Sequence, residues 1–324
     1  MTAVELKTLS MFPQAQFVET NGIRMAVYAQ GEGLPVILLH GFPELAYSWR
    51  HQLPALAAAG YRAIAPDQRG YGLTSKPDGV LQYTVQRLLD DITGLLDAQD
   101  IDKAVIVGHD WGALLAWQMA LLVPERITGL VALNIPFFAR LPVEPIAYMR
   151  AELGDDFYIV NFQDSDQADR RCNENPAWVF EMMMRRNATS REKFNALPKA
   201  MRSFNLLAAL DRRELSGEKL LSPEEEKVFV DAFSAGGFTP PINWYRNWTH
   251  NWESTADLDQ TVRVPTLFIG AIDDVIISPG QIDAMKPFVP DLEVHMFENC
   301  GHWTQQEKPD DVNSIVIEWL GRHH

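Results

Sequence analysis

The residues whose types and spacing could do chemistry are an aspartate, a second acid and a histidine that lie far apart along the chain. Asp110 lies in the segment GHDWG (108–112), between a strand-like apolar run and an apolar helical pattern. Glycines permit a tight turn from strand to helix, so the segment matches a nucleophile elbow with Asp where Ser often stands. An Asp there is more commonly a helix cap. The glycines and the preceding apolar strand favour a nucleophile.

Two further residues support that interpretation. Asp274 follows the run VPTLFIGA (264–271), and His302 follows the run LEVHMFEN, before a C-terminal helical pattern. Taken singly, such an Asp is usually a turn residue and such a His a polar surface residue. Together the three residues occur in the order nucleophile, acid, base that α/β-hydrolases require. Each follows the C-terminal end of a strand, where open α/β sheets bind ligands, so the set predicts a catalytic triad.

An oxyanion hole is predicted from the segment HGFPE (40–44), which comes directly after the apolar run PVILL. In α/β-hydrolases one N–H of this hole comes from such a loop and the other from the residue after the nucleophile. Here these are the backbone N–H groups of Phe42 and Trp111. The alternative for HGFPE is a β-turn with a hydrophobic anchor.

The elements that must position these residues read as alternating strands and helices. AQFVET and IRMAVYAQ form a predicted pair joined by the turn dipeptide Asn21-Gly22. Helical patterns at about 46–59, 83–99 and 111–123 alternate with runs that lack strict polar alternation, as strands buried on both faces do. These runs are PVILLH, RAIAPD, AVIVGHD, ITGLVALN, VPTLFIGA and LEVHMFEN. The order predicts a mostly parallel sheet with helices on both faces. Together with the elbow and the order of Asp110, Asp274 and His302, it indicates an α/β-hydrolase fold.

The alternation stops after residue 136. From 137 to about 251 no convincing strand is visible, and the segment is helical in pattern and rich in Met, Trp and Arg. It contains a helix start signal at Ser222-Pro223-Glu224-Glu225. The sequence therefore predicts an α/β core at 1–136 and 253–324, with a helical cap at 137–252 inserted between strands.

Composition narrows the classes of partner and cofactor. The formal net charge of −15 disfavours nucleic acid or an anionic membrane as the partner. The two cysteines, Cys172 and Cys300, cannot build a disulfide framework, and no Cys/His spacing suggests zinc. Since neither a signal peptide nor a membrane-length apolar run is visible, we expect a cytoplasmic protein without membrane association, metal or cofactor.

At this point a resemblance becomes visible. Over essentially its whole length the chain resembles the soluble epoxide hydrolase family of α/β-hydrolases. Two matching segments, HGFPELAYSWRHQLPALAAAGYRAIAPDQRGYG and GHDWGALLAWQMALLVPERI, are shared with haloalkane and haloacetate dehalogenases. Two segments of the predicted cap, GDDFYIVNFQ and PINWYRNW, are more specific to epoxide hydrolases, and CGHWTQQEKP supplies the histidine.

The resemblance implies roles for particular residues. In the family a pair of cap tyrosines points at the nucleophile, and here they are Tyr158 and Tyr245. The family's acid is followed five residues later by a proline, so Pro279 selects Asp274 over Asp273. The residues expected to contact the substrate are Phe42, Trp111, Tyr158, Tyr245 and Trp303.

The implied activity is conversion of an epoxide and water to a vicinal diol through an alkyl ester on Asp110. Tyr158 and Tyr245 would protonate the epoxide oxygen, and His302 with Asp274 would activate the hydrolytic water. The expected substrate is a small apolar epoxide, the expected role is detoxification, and the chain would act as a monomer or homodimer.

Two alternatives stay open. A haloalkane or haloacetate dehalogenase would use the same Asp110 and His302, with Trp111 contacting halide. However, halide leaves without a proton, which gives paired phenols no task, and Phe42 stands where such enzymes commonly carry Asn. The other alternative is a non-catalytic binding protein on a hydrolase scaffold, which would be expected to lack a member of the triad.

Overall fold

The fold is built on one sheet whose strands lie close to their predicted positions. The computed structural model describes residues 12–164, 166–198, 201–212, 214–278 and 280–324. The strands of the main sheet are β1 Gln16–Thr20, β2 Ile23–Gln30, β3 Leu34–Leu39, β4 Tyr61–Pro66, β5 Ala104–His109, β6 Ile127–Leu133, β9 Thr266–Ala271 and β10 Leu292–Phe297. A separate short pair is formed by β7 Arg185–Arg186 and β8 Glu218–Lys219.

The main sheet has the spatial order β1-β2-β4-β3-β5-β6-β9-β10. In this spatial order, all neighbours in the series β4-β3-β5-β6-β9-β10 pair in parallel. The other two pairs, β1 with β2 and β2 with β4, are antiparallel. At the hairpin, Thr20 lies opposite Ile23, and both Asn21 and Gly22 have positive φ, as the predicted turn requires. The prediction of a mostly parallel sheet with an initial hairpin is confirmed.

Helices connect the strands. They are α1 Gln52–Ala58, α2 Val85–Ala98, α3 Trp111–Leu122, α4 Pro145–Leu153, α5 Tyr158–Asp164, α6 Gln167–Glu174, α7 Pro176–Met183, α8 Arg191–Ala196, α9 Leu206–Leu210, α10 Pro223–Gly236, α11 Thr239–Tyr245, α12 Trp248–Ser254, α13 Gln281–Met285, α14 Thr304–Glu307 and α15 Pro309–His323. Short 3₁₀ turns lie at Ala46–Trp49, Val80–Tyr83 and Pro124–Arg126. The pattern predicted as one helix over 46–59 is therefore a 3₁₀ turn followed by α1.

Successive residues of the central strands enter different apolar cores, which explains their lack of polar alternation. In β5, Ile106 belongs to the core that contains α2 and α3, whereas Val105 and Val107 belong to the core that contains α1 and α15. Side chains alternate across a strand, so both faces of the sheet must be covered. The prediction of helices on both faces is confirmed.

The segment between β6 and β9 is largely helical, in agreement with the sequence pattern, and we call it the inserted segment. At α10 the predicted start signal is realised as a full capping box: the Ser222 hydroxyl accepts from the Glu225 N–H, and the Glu225 carboxylate accepts from the Ser222 N–H. The expectation of no strand was wrong at β7 and β8. Each has only two residues and both are polar, so no hydrophobic periodicity could mark them.

Among the described residues, the model contains no helix with the length and apolar character that a bilayer crossing requires. Within the same ranges, the His, Cys, Asp and Glu side chains form no group of three that could hold a metal ion.

A buried ion pair fastens the loop after β4 to α2. Arg69 Nε lies 2.7 Å from Asp91 Oδ2 and Arg69 Nη2 lies 2.6 Å from Asp91 Oδ1, and each side chain is 2% exposed. Asp91→Ala should lower the free energy of unfolding by about 3–5 kcal/mol, because it leaves the guanidinium buried without its counter-charge. Chemical denaturation followed by circular dichroism measures this loss.

The matched control is Asp259→Ala, which removes an exposed ion pair with Arg263 and should change the unfolding free energy little. Equal losses for the two variants would contradict the assignment of the Arg69–Asp91 pair as a structural anchor.

Candidate active site

The turn between β5 and α3 holds Asp110 in a strained backbone conformation. Asp110 has φ 51° and ψ −117°, outside the regions that non-glycine residues ordinarily occupy. A Cβ on Gly108 would overlap the Gly112 carbonyl, and a Cβ on Gly112 would overlap the Leu39 carbonyl. Glycine at both positions is therefore required for β3, β5 and α3 to approach this closely, and the result is the predicted elbow.

The loop after β3 supplies a hydrogen-bond donor to the Asp110 carboxylate. The Phe42 N–H donates to Asp110 Oδ1 at 2.9 Å. The Gly41 N–H in turn donates to the buried Glu44 carboxylate at 2.9 Å, which fixes the curvature of this loop. Trp111 is the first residue of α3, and its N–H remains the predicted second donor of an oxyanion hole.

His302 lies between two carboxylates. Its Nδ1 is 3.0 Å from Asp274 Oδ2, and its Nε2 is 3.6 Å from Asp110 Oδ2. Asp274 Oδ2 also accepts from Asn134 Nδ2 at 2.8 Å, while Asp274 Oδ1 accepts from the Ile276 N–H at 3.0 Å. The loops after β5, β9 and β10 thus bring the three predicted residues of the triad together.

The geometry pairs His302 with Asp274 and gives Asp273 a different partner. Asp273 Oδ1 accepts from the Arg191 N–H at 2.8 Å. Pro279, which selected Asp274 in the sequence, lies outside the described residues.

The charges of this triad stabilise one another. Burial alone would raise the pKa of Asp274, but the charge and hydrogen bond of His302, with the hydrogen bonds from Asn134 and Ile276, lower it. For His302, burial acts to lower the pKa, but the charge of Asp274 and the hydrogen bond and charge of Asp110 raise it well above its ordinary value. An imidazolium between two carboxylates is therefore the favoured state of the unreacted site.

Tyr245 lies against the two residues that flank the Asp110 carboxylate. Its ring centroid is 5.4 Å from that of Phe42 and 5.0 Å from that of Trp111, both in edge-to-face geometry. Tyr158 lies next to it at 5.6 Å between centroids. The two tyrosines come from α5 and α11 of the inserted segment, so the structure brings both predicted tyrosines beside each other and close to Asp110.

Both phenols are held in their neutral form. Burial, followed by the negative charge of Asp110, raises the pKa of Tyr158. Burial, with the neighbouring Tyr158 and then Asp110, raises the pKa of Tyr245 well above its ordinary value. A phenol that keeps its proton beside a carboxylate can donate a hydrogen bond to an oxygen bound between them.

Phe42 and Trp303, which are also expected to contact substrate, are both buried. The Phe42 ring contacts Phe162 and Phe238 as well as Tyr245. The Trp303 ring packs on His302 at 4.9 Å, and its indole N–H donates to the Met183 carbonyl at 2.9 Å. Trp303 therefore joins the histidine loop to the inserted segment, and its contact with substrate remains a prediction.

A second buried network behind the triad was missed from the sequence. His109 Nδ1 lies 2.7 Å from Glu44 Oε2, and His109 Nε2 lies 2.7 Å from the His302 carbonyl oxygen. Both ring nitrogens of His109 therefore lie within hydrogen-bond distance of oxygen atoms, one in a carboxylate and one in a backbone carbonyl. Although burial alone would raise the pKa of Glu44, the charge and hydrogen bond of His109 lower it to about 2.

Asn134 was also missed from the sequence. It has φ 67° at the end of β6, and its amide donates to both Asp274 and the Gly301 carbonyl. An Asn directly after an apolar strand was the available signal, but it is equally typical of an ordinary turn.

Comparison with known proteins shows the family to which the chain belongs. Residues 35–309 match the model of the alpha/beta hydrolase fold family. The chain is 41% identical over 319 residues to Epoxide hydrolase A of Mycobacterium tuberculosis (strain ATCC 25618 / H37Rv), covering 95% of this chain and 97% of that relative. The chain belongs to the epoxide hydrolase family of α/β-hydrolases.

Other members of the epoxide hydrolase family give the same result. Epoxide hydrolase 1 of Siraitia grosvenorii is 38% identical over 314 residues, which is 94% of this chain and 96% of that protein. The crystal structure of Epoxide Hydrolase A from Mycobacterium thermoresistibile is similar with a TM-score of 0.85 and 36% identity, covering 95% of this chain and 98% of that one. The family membership and the α/β-hydrolase fold expected from the sequence are confirmed.

The two carboxylates beside His302 should determine the pKa of its imidazole. Asp110→Asn removes one negative charge near the imidazolium, so the pKa of His302 should fall. A titration of the His302 ring by ¹³C or ¹⁵N NMR measures the change.

Asp273→Asn is the matched control, because the Asp273 carboxylate accepts from Arg191 in place of His302. It should move the His302 titration much less. A larger effect from Asp273 than from Asp110 would show that the charge balance described for the triad is wrong.

Proposed function

We propose that this chain hydrolyses an epoxide to a vicinal diol through an alkyl ester on Asp110, with Tyr158 and Tyr245 as proton donors and His302 with Asp274 as the base. The observation that carries the proposal is the surroundings of the Asp110 carboxylate at its strained turn. Two neutral phenols lie close to it, and so does the imidazole of His302, which is paired with Asp274. A serine-type hydrolase would need no phenols there, and a binding protein would need no aligned imidazole.

The first step is alkylation of Asp110. Because Oδ1 accepts the Phe42 N–H, Oδ2 is the oxygen free to attack an epoxide carbon. A bond forms between Oδ2 and that carbon while the bond from the carbon to the ring oxygen breaks. The alkoxide that results takes a proton from Tyr158 or Tyr245. Asp110 loses its charge, and the negative charge passes to the tyrosine, which regains a proton during the second step.

The second step is hydrolysis of the ester. His302 Nε2 takes a proton from a water molecule, whose oxygen attacks the ester carbonyl carbon of Asp110. The Phe42 N–H, with the predicted Trp111 N–H, stabilises the negative charge that develops on Oδ1. Collapse of this intermediate breaks the acyl bond to the alkyl oxygen, which takes the proton from the His302 imidazolium and leaves as the diol. The second proton of the water passes from the new carboxyl group to the tyrosinate, which restores the Asp110 carboxylate and the phenol. Asp274 holds the imidazole and stabilises its charged form.

The first step prepares the base for the second. In the unreacted site His302 favours its charged form because of Asp274 and Asp110. Esterification removes the charge of Asp110, so the pKa of His302 falls and the neutral imidazole that can accept a proton becomes more populated. Hydrolysis should therefore slow as the pH is lowered through that pKa.

The inserted segment gives the site its apolar cover. We propose that residues 137–252 form a cap, because this part of the chain brings Tyr158 and Tyr245 against Phe42 and Trp111. The surrounding rings favour a small apolar aryl or alkyl epoxide. A cytoplasmic location, a role in detoxification and a monomeric or homodimeric state stay predictions.

The activity is tested by incubating the protein with styrene oxide and, separately, with a haloalkane. Diol from the epoxide without halide release is the expected result. Halide release without diol would favour the dehalogenase alternative. No turnover of a panel of aryl and alkyl epoxides would count against the proposed activity.

His302→Gln should accumulate the ester. The substitution removes the base of the second step and leaves Asp110, the tyrosines and the Phe42 N–H in place, so alkylation continues while hydrolysis fails. Mass spectrometry of the intact protein after exposure to epoxide should show an adduct of one substrate mass. The adduct should be absent from Asp110→Asn, and its absence from His302→Gln as well would argue against a covalent pathway.

Replacing both phenols should nearly abolish alkylation. General-acid assistance is typically worth about 10²–10⁴-fold, and either phenol can partly replace the other. Tyr158→Phe or Tyr245→Phe should therefore slow single-turnover alkylation, and the double variant should slow it far more than either.

Tyr148→Phe is the matched control, because Tyr148 is an exposed tyrosine of the inserted segment and its loss should leave alkylation unchanged. If the double variant alkylates at the wild-type rate, the two tyrosines are packing residues only.

A further inference from the structure

The loop that carries Asp274 is held by an arginine from the inserted segment. Arg191 Nε donates to the Ile272 carbonyl at 3.0 Å. Arg191 Nη2 donates to the carbonyl of Asp274 itself and to the Ile277 carbonyl, the latter at 2.5 Å. The guanidinium thus contacts the chain before Asp274, at Asp274 and after it.

The same residue also holds the loop through its backbone. The Arg191 N–H donates to Asp273 Oδ1 at 2.8 Å. Arg191 lies 81 to 86 positions before its carbonyl partners. These contacts therefore join the inserted segment to a loop that is distant in the sequence. A planar guanidinium carries several N–H donors in a fixed geometry, so it can donate to several carbonyls at once. A lysine ammonium is a compact charge without that fixed geometry.

On the core side, the loop is held through the Asp274 carboxylate, which accepts from Asn134 Nδ2 at 2.8 Å, and through two backbone hydrogen bonds before Asp274. The Ile272 N–H donates to the Phe297 carbonyl at 2.9 Å, and the Asp273 N–H donates to the Cys300 carbonyl at 3.3 Å. Arg191 adds contacts beyond these, at Asp274 and Ile277. The orientation of the acid therefore depends on the inserted segment as well as on the sheet.

We propose that Arg191 is a positioning residue, which aligns Asp274 with His302 and thereby supports hydrolysis of the ester more than its formation. This proposal rests on the proposed function above. Ester formation uses Asp110, the two phenols and the Phe42 N–H, none of which Arg191 contacts in the bonds described. Hydrolysis needs the imidazole to be oriented and its charged form stabilised, and Asp274 does both.

Arg185 provides a matched control. It belongs to the inserted segment and also donates to backbone carbonyls, those of Glu181, Ser216 and Gly217, with distances of 3.2, 2.6 and 2.7 Å. All of these partners lie within the inserted segment. Arg185→Met therefore removes a comparable set of bonds without touching the Asp274 loop, and it reports any general loosening of the segment.

The experiment compares Arg191→Met, Arg191→Lys and Arg185→Met with the wild type in single-turnover reactions with styrene oxide. For Arg191→Met we expect alkylation near the wild-type rate and ester hydrolysis slower by about 10- to 100-fold, the scale that misplacement of a catalytic group costs. Arg191→Lys should be intermediate, and Arg185→Met should leave both rates near wild type. The ester should accumulate at steady state only in the Arg191 variants.

A second measurement needs no substrate and so separates this proposal from the proposed function. The Nδ1 proton of His302, which lies in the hydrogen bond to Asp274, should shift or broaden in the ¹H NMR spectrum of Arg191→Met and stay unchanged in Arg185→Met. An unchanged proton would overturn the positioning role. Equal slowing of alkylation and hydrolysis, no slowing of either, or the same partition in Arg185→Met would overturn it as well. Failure of the wild type to form any ester would instead contradict the proposed function.

Discussion

The imidazole of His302 between two buried carboxylates is the interaction on which the rest of this structure depends. Asp110 and Asp274 are both buried and would repel each other, and the cation between them offsets that repulsion. The arrangement needs three loops, after β5, β9 and β10, to end at the same edge of the sheet. A parallel sheet provides this, because the carboxyl ends of its strands point the same way.

Each loop of the triad is fixed by hydrogen bonds that reach a different part of the fold. The buried Glu44 carboxylate accepts from the loop after β3, from His109 on β5 and from Gln305 and Gln306 on α14. The other ring nitrogen of His109 is hydrogen-bonded to the backbone carbonyl of His302. A carboxylate whose oxygens are fully hydrogen-bonded can remain buried, whereas a charge deprived of its partners is costly there. The polar network therefore makes the site rigid and ties its loops together.

The sequence predicts the sheet, its flanking helices and the elbow because each depends on local patterns. Apolar runs mark buried strands, and the glycines around Asp110 mark the sharp turn. Asn134, Glu44 and Arg191 could not be found this way, since their importance lies in hydrogen bonds to residues distant in the sequence. The two-residue strands β7 and β8 were not predicted for a related reason, because their pairing depends on the surrounding tertiary structure. The tyrosines could be named only through the family resemblance, since buried aromatic residues are common in any helical segment.

The position of the inserted segment has an evolutionary consequence. It leaves the sheet after β6 and returns at β9, and these strands are direct neighbours, with Leu130 paired to Thr266. The segment therefore takes the place of a single crossover between adjacent strands, and the cost of closing a loop rises only slowly with its length. Helices can be gained, lost or exchanged there without changing the strand order. A lineage can therefore change the side chains that the inserted segment brings against Phe42 and Trp111 while inheriting His302 and its two carboxylates intact.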